Sequence, residues 1–396
     1  MDVTAFDLNL RHLRAVAPIV ERGSMSAAAV TVGLSQPALT QGVAKLERQL
    51  GVPLFERQAR GVAPTEAGRL LAERARAGFV ILDAAGRGAG RQGRGFARPG
   101  QLLTATQARA MLALAAAGSF VGAAAATGLS EPAIHRAVRD LEQIWGQPLV
   151  ERRGRGIMIT AAGTRLARAV RLAGVEIDAA LTTIAGGDQR GRIGIGAMPL
   201  SRALVLPRAL AAFTAGTPQT VVDVYEGSWR DLIEPLLDGI IDLTIGALRD
   251  TPAPGTEQEA LFVDRLAVIG RAGHPLAEVA EPSLDLLAGY GWIIGQAGSP
   301  LRAHWGAMFA GRELPFAPIE CGSVMVIRGV LAESDLLTML SPDQVALEVS
   351  AGMLVRIGEP PAASARTIGL TVRSGWRPTE AQARLVDLIR VASQQT

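Results

Sequence analysis

One stretch of this chain occurs twice. Residues 23–68 begin GSMSAAAVTVGLSQPALTQGVAKLE and continue to GVPLFERQARGVAPTEAG; residues 118–163 begin GSFVGAAAATGLSEPAIHRAVRDLE and continue to GQPLVERRGRGIMITAAG. The two align without a gap at an offset of 95, with 22 identities over 46 positions. A chain that repeats one compact segment must build the same small unit twice, and the remaining residues must form something else.

Within the first copy, Leu10, Leu13, Val16, Ala17 and Val20 share one face of a helix predicted over 7–22. Pro18 inside that pattern is expected to kink the helix or remove a hydrogen bond. Gly23 stops it, Ser24 or Ser26 caps a second helix over 27–32, and Gly33 ends that one. Ser35 caps a third helix, with Pro37 in its first turn, where the missing N–H costs nothing. Leu39, Val43, Leu46 and Leu50 then follow at helical spacing. PLFERQARGVAPT reads as two short strands around a basic turn. Residues 66–85 read as a long helix with Leu70, Leu71, Ala75, Val80 and Ile81 on its apolar stripe. Two short helices joined by a Gly-containing turn, the second with a polar and basic outer face, make a helix-turn-helix, and the basic hairpin makes its wing. The second copy repeats the order: helices over 106–117, 121–127 and 130–145, a wing at 148–160, and a long helix at about 161–185. Between the copies, GRGAGRQGRGFARPGQ at 86–101 is expected to be a flexible cationic tether with some affinity for phosphate.

Charge divides the chain. Through Arg192 there are 24 arginines and one lysine against 15 acids, whereas the remainder carries 15 basic and 22 acidic residues. A basic front suggests an anion-binding module, with duplex DNA the first candidate. The start, MDVTAFD, lacks the basic and apolar regions of a signal peptide, and the longest weakly apolar run, 110–126, is too poor in Leu and Ile to span a bilayer. A cytoplasmic protein with no membrane partner is expected. One cysteine, Cys321, excludes an internal disulfide, and the four histidines show no ligand spacing. No metal and no cofactor is therefore expected. The G-x-G at 194–196 lacks the third glycine of a dinucleotide site, and no nucleophile with a nearby base supports an enzyme.

From Arg192 the pattern changes. Strand-like segments at 192–198, 220–225, 242–246, 264–270, 292–295, 337–340, 354–357 and 366–372 alternate with helical ones at about 201–214, 229–239, 301–310, 323–333, 342–350 and 379–393. Such alternation predicts parallel sheets covered by helices, divided between two α/β lobes.

The segments GSMSAAA, LSQPALTQGVAKLE, PLFER and PTEAG resemble the N-terminal domain of LysR-type transcriptional regulators, and GSFVGAAA, LSEPAIHRAVRDLE, LVERRGRG and TAAG resemble it again. Beyond residue 190, RIGIGAMPL, LPRALAAF, DGIIDLTIG, RAGHPLA and MLSPDQ are similar to that family's effector domain, a fold shared with periplasmic binding proteins. IECGSVMVIRGVL, LSPDQ and WRPTEAQ look closer to the branch of galactose-binding-protein and protocatechuate regulators. The resemblance implies an α+β multidomain chain: two winged helix-turn-helix domains followed by a two-lobed effector domain. Its expected divisions are 7–85, the linker 86–101, 102–186 and 190–396, with lobe I at about 190–268 and 355–396 and lobe II at about 269–354. The departure is the second N-terminal unit, since the family usually carries one.

The resemblance also implies partners: double-stranded DNA, a small-molecule effector (a sugar or an aromatic-catabolism acid), RNA polymerase if the protein activates, and a homodimer or homotetramer. In copy one, Ser35, Gln36, Pro37, Thr40 and Gln41 begin the reading helix, where Gln can bridge adenine N6 and N7. Lys45, Arg57 and Arg60 are expected on phosphate. Copy two places Ser130, Glu131, Pro132, His135 and Arg136 at the matching positions, with Arg139, Arg152, Arg153 and Arg155 making its outer face more basic. Two readings stay open: both copies bind DNA with different preferences, which is favoured, or the second serves assembly alone. The long helices match the family's linker helix, through which two subunits pair. The second leads straight into the effector domain and is the stronger candidate for that role, although either stripe could pack within the chain. Two unlike DNA contacts per chain, four per dimer, are expected. For the effector, the carboxyl ends of strands and the facing helix N-termini point to Pro199, Leu200, Ser201, Arg202, Ser228, Trp229, Gln296, Ser299, Arg302, Gly322 and Ser323. Simple N-capping explains the serines equally well. A solute-binding protein is the alternative that the back half alone would suggest.

Overall fold

The offset of 95 reappears in the backbone. A computed structural model describes residues 3–58, 61–87, 96, 98–154, 156–186, 191–198, 205–361 and 364–394. Helices α1 (Leu10–Arg22), α2 (Met25–Val32) and α3 (Gln36–Leu50), hairpin β1 (Phe55–Gln58) and β2 (Gly61–Pro64), and the long α4 (Glu66–Arg87) form copy one. Copy two consists of α5 (Ala105–Ala117), α6 (Phe120–Thr127), α7 (Glu131–Trp145), β3 (Val150–Arg153), β4 (Gly156–Ile159) and the long α8 (Ala161–Ile184). Each element starts 95 residues after its counterpart. Gly23, Gly33 and Gly51 close the first three helices in the left-handed region, and Gly118, Gly128 and Gly146 repeat this.

Residues that the copies share hold the scaffold. Glu47 Oε1 accepts from the wing amides of Leu54 and Phe55 at 2.8 and 3.2 Å; Glu142 Oε1 accepts from Leu149 and Val150 at 2.8 and 3.3 Å. Gly68 and Gly163 pass so close to the Leu54 and Leu149 carbonyls that an added Cβ would sit 2.1 and 2.2 Å from those oxygens. Two details differ from expectation at the start of the chain. A 3-10 turn at Ala5–Asp7 precedes α1, which Asn9 caps, so one helix does not run from residue 7. Helix α1 then continues through Pro18, and the bond forgone is the one to the Arg14 carbonyl.

The chain divides into two units, Met1–Gly191 and Arg192–Thr396. Both copies therefore share the first. Each keeps a private core: Ala15, Ile19, Ala28, Leu39 and Val43 in copy one, and Ala110, Leu114, Ala123, Ile134 and Val138 in copy two. A larger core joins them, with Leu71, Ala75, Phe79 and Leu82 of α4 against Leu166, Val170, Ala173 and Ile177 of α8. Each of the Leu, Val, Ile and Phe side chains removed from water contributes about 1.5–3 kcal/mol. The long helices thus pair within one chain, and the α8 stripe expected to meet a second subunit is covered by α4. Gly78 permits the approach, since a Cβ there would lie 2.9 Å from the Ala173 carbonyl oxygen. A mostly buried ion pair, Arg74 with Glu176 at 3.2 Å, bridges the same two helices.

The second unit has two five-stranded sheets. Its elements are β5 (Gly191–Ala197), α9 (Val205–Gly216), β6 (Thr220–Glu226), α10 (Trp229–Leu237), β7 (Leu243–Ala247), β8 (Thr256–Arg265), β9 (Ala267–Arg271), α11 (Leu284–Ala288) and β10 (Trp292–Ile294). Then follow α12 (Pro300–Met308), β11 (Ile319–Glu320), α13 (Val324–Ala332), β12 (Leu337–Leu340), a 3-10 turn Pro342–Val345, α14 (Ala346–Ser350), β13 (Leu354–Arg356), β14 (Ala365–Arg373) and α15 (Glu380–Ser393). The strand orders are β6-β5-β7-β14-β8 and β11-β10-β12-β9-β13.

The sheets are mixed, not purely parallel. Strands β5–β7, β10–β11 and β10–β12 pair parallel, while β7–β14, β8–β14, β9–β12 and β9–β13 pair antiparallel. The chain crosses from one sheet to the other directly at Leu266 and returns between β13 and β14. Without a crossover helix its direction in the sheet reverses. The single strand expected at 264–270 is consequently two strands in two sheets. At this crossing the buried Asp264 accepts from Ser341 Oγ at 2.7 Å and from Arg366 Nε at 2.8 Å.

Candidate nucleic-acid interface and effector site

Helix α3 buries Leu39, Val43 and Leu46 and leaves Ser35, Gln36, Pro37, Thr40, Gln41 and Lys45 exposed. Ser35 Oγ caps the helix by accepting from Ala38 N at 3.3 Å. Thr40 Oγ1 turns back to the Gln36 carbonyl at 3.0 Å, so the amides of Gln36 and Gln41 are the outward polar groups of this turn. Beneath, His12 packs on Gly42, where a Cβ would lie 2.7 Å from the ring. Burial first, then the Lys45 and Arg11 charges, hold the His12 pKa below the usual imidazole range, so the ring is neutral support. Arg57 is exposed on β1, and Arg60 lies outside the described residues.

Helix α7 presents a different surface. Ser130, Glu131, Pro132, Arg136 and Arg139 are exposed, and His135 is half-buried. The His135 ring stacks on Phe120 at 3.6 Å, and its Nε2 lies 3.6 Å from Glu131 Oε1. The His135 ring is thereby held against α6, with Glu131 beside it. Arg136 and Arg139 remain as the outward cations. Arg152 and Arg153 are exposed on β3, and Arg155 lies outside the described residues. Between the copies the first turns of these helices keep an exposed Ser and Pro, while Gln36, Thr40 and Gln41 are replaced by Glu131, His135 and Arg136.

In the second unit the predicted residues form two groups. Pro199, Leu200, Ser201 and Arg202 lie outside the described residues. Ser228 begins α10 and is bound by Asp231, whose Oδ2 accepts from Ser228 Oγ at 2.6 Å and from its amide at 2.9 Å. The two Ser228 bonds hold the Asp231 carboxyl below its ordinary pKa. Trp229 lies beside the Arg249 guanidinium, 5.9 Å from the ring centre. In the other lobe, Ser299 caps α12 through Arg302 N at 3.3 Å, and Ser323 caps α13 through Val326 N at 3.5 Å. Gly322 approaches Gln296, where a Cβ would meet the side-chain amide at 3.8 Å. Arg302 is paired with Glu320 at 2.5 Å, so its charge is met inside the lobe.

Sequence reasoning missed Arg230. It projects from α10 of one lobe to the loop between β10 and α12 of the other, where a Cβ on Gly298 would lie 3.2 Å from Nη2. Among the described residues its guanidinium has no carboxylate partner. Only its neighbour Trp229 had been marked, and nothing in the linear pattern joins position 230 to a loop near 298. Among the described residues no group of His, Cys, Asp and Glu could hold a metal ion, and no helix is long and apolar enough to cross a membrane.

The pattern of the bacterial regulatory helix-turn-helix proteins of the lysR family matches residues 10–69 and again 105–164, and the LysR substrate binding domain matches residues 186–393. The chain is similar to the HTH-type transcriptional regulator GalR of Pseudomonas putida, 34% identical over 388 residues that cover 96% of each protein. It is also similar to PcaQ of Agrobacterium fabrum, 27% identical over 280 residues, 69% of this chain and 90% of that one. The first alignment therefore spans both copies, whereas the second leaves nearly a third of this chain unmatched. Among solved structures, a full-length OxyR variant from Pseudomonas aeruginosa gives a TM-score of 0.59 at 21% identity, covering 74% of this chain and 96% of its own. Full-length LysG from Corynebacterium glutamicum with bound effector Arg gives 0.55 at 19% identity, covering 73% and 97%. These likenesses show the fold.

Proposed function

Because this chain belongs to the LysR family of transcriptional regulators, we propose that both of its front copies contact duplex DNA and that an anionic small molecule in the back unit modulates that contact. The observation that carries the DNA reading is the pair of reading helices. Each has a buried inner face and an exposed polar first turn, on the half of the chain that holds the excess of arginine. Gln36 and Gln41 in α3, and Arg136 in α7, are the base-contacting groups. Ser35, Pro37, Thr40, Ser130, Glu131, Pro132 and His135 shape those turns. Lys45, Arg57, Arg60, Arg139, Arg152, Arg153 and Arg155 meet phosphate. The domain divisions at 7–85, 86–101, 102–186 and 190–396 belong to the same proposal. A free-standing solute-binding protein is not favoured, since such a protein has no use for two helix-turn-helix domains.

The effector reading rests on Arg230 reaching the Gly298 loop, close to Gln296, Ser299, Gly322 and Ser323. A guanidinium unmatched by a carboxylate favours an acid such as those of aromatic catabolism over a neutral sugar. An acid that bridges Arg230 to the opposite lobe would favour a closed arrangement, and a population shift would carry the signal. Association into homodimers or homotetramers, and contact with RNA polymerase if the protein activates, complete the reading. Gel-shift titrations at two salt concentrations test the first part: phosphate contacts require affinity to fall steeply with salt, and a flat response refutes them. A thermal-shift screen of aromatic acids and sugars on wild type and Arg230→Ala tests the second. Stabilisation by sugars alone, or by acids equally in both proteins, would sink it.

A further inference from the structure

The two copies are related by a twofold rotation within one chain, and this follows from which residues meet. Adding 95 turns Ala5 into Gly100 and Asp83 into Asp178. Ala5 N donates to Asp178 Oδ1 at 2.6 Å, and Gly100 lies against Asp83, where a Cβ would sit 2.5 Å from Oδ1. The same step turns Arg14 into Arg109. Arg14 Nη2 donates to the Gly100 carbonyl at 2.9 Å, ahead of copy two, while Arg109 Nη1 lies 3.6 Å from Asp7 Oδ1, ahead of copy one. Gly78 becomes Ala173, and these two equivalents touch each other where α4 crosses α8. An operation that carries each copy onto the other is a dyad, the symmetry of an isologous dimer. Here both halves belong to one chain.

We propose that a single chain is a complete two-headed reader of one composite, non-palindromic DNA site. This rests on the DNA-binding reading above. The dyad presents α3 and α7 as a symmetric dimer presents its two reading helices, to half-sites in inverted orientation. The two heads differ chemically. Copy one offers the amides of Gln36 and Gln41, which suit adenine N6 and N7. Copy two offers the Arg136 guanidinium, which suits guanine O6 and N7, while the His135 ring is stacked on Phe120 with Glu131 beside it. One half-site is therefore read for A·T and the other for G·C.

The test begins by selecting binders from a pool of random duplexes with the full chain. The expected result is one enriched site with two unlike halves in inverted orientation. Gln36→Ala should relax only the adenine-bearing half and Arg136→Ala only the guanine-bearing half, each weakening the intact site roughly 10- to 100-fold. Both residues are exposed, so folding is not at stake. The two variants are then mixed on the selected site. If one chain reads both halves, the mixture binds no better than either variant alone. An enriched perfect palindrome, or affinity restored in the mixture, overturns the single-chain reader while leaving DNA binding intact. No enrichment of any duplex overturns both.

Discussion

Asp178→Asn should stabilise the pairing of the two copies, and the size of the effect can be worked from Asp178's surroundings. Burial raises the Asp178 pKa to about 6 from 3.8; the Ala5 amide opposes that rise, and the nearby Asp7 charge adds to it. Its counterpart in the repeat, Asp83, has Arg14 Nη1 at 3.5 Å, whereas Arg109, the counterpart of Arg14, turns to Asp7. Asp178 therefore ionises without the cation that Asp83 enjoys. A folded-state pKa above the unfolded value means that the native state holds the proton longer. The stability this confers is full below pH 3.8 and is lost as pH rises through about 6. The roughly two-unit difference corresponds to about 3 kcal/mol lost at pH 7.5, and about half of that is already lost at pH 5.

Asparagine keeps an oxygen for the Ala5 amide and removes the charge. The variant should exceed wild type by about 1–3 kcal/mol at pH 7.5, with the gap closing below pH 4. Urea titrations of the full chain, followed by hydrogen-exchange mass spectrometry on peptides from α4 and α8, read this unit separately from the other. A variant no more stable than wild type at pH 7.5, or a gap that widens on acidification, would refute the reasoning.

Other expectations concern the wing and the lobe crossing. Glu142→Ala leaves the Leu149 and Val150 amides without their acceptor and should cost about 1–3 kcal/mol. Loss of exchange protection should be confined to β3 and β4, and unchanged protection there would contradict the anchoring role. Asp264→Ala strips Arg366 and Ser341 of their buried partner and should destabilise the back unit by about 3–5 kcal/mol. A loss below about 1 kcal/mol in thermal unfolding would show that the crossing does not depend on this carboxylate.

Much of each copy was legible because its signals are local. Ser24, Ser35, Gly23 and Gly33 act within a few residues of where they stand, and helical spacing of Leu39, Val43 and Leu46 states which face is buried. The back unit was read less well where burial is shallow. Strand β8, TEQEALFVDR, went unseen apart from its last residues because it is an edge strand in which the exposed Glu257 and Glu259 break up the apolar pattern. Strand β11 has two residues and α11 five, too few for a period to appear. The first turns of α3 and α7 are exposed, yet the stacking of His135 on Phe120 could not be foreseen, since fifteen residues separate them and only the fold brings their rings together.

The sequence by itself determined that one helix-turn-helix pattern is written twice, where the first three helices of each copy end, and which residues differ between the copies. Caps, turns and periodicity are interactions over a few residues, and the repeat writes them out twice. What only the tertiary structure decided is the partner of each long helix. Burial of an apolar stripe is favourable against any complementary stripe, so the pattern in α4 and α8 is equally suited to a second chain. The selection comes from contacts that join residues about 95 to 173 apart: Gly78 against Ala173, Arg74 with Glu176, and Ala5 on Asp178. The Arg230 approach to Gly298 has the same origin, because a charge and the loop it reaches become neighbours only when two lobes have formed.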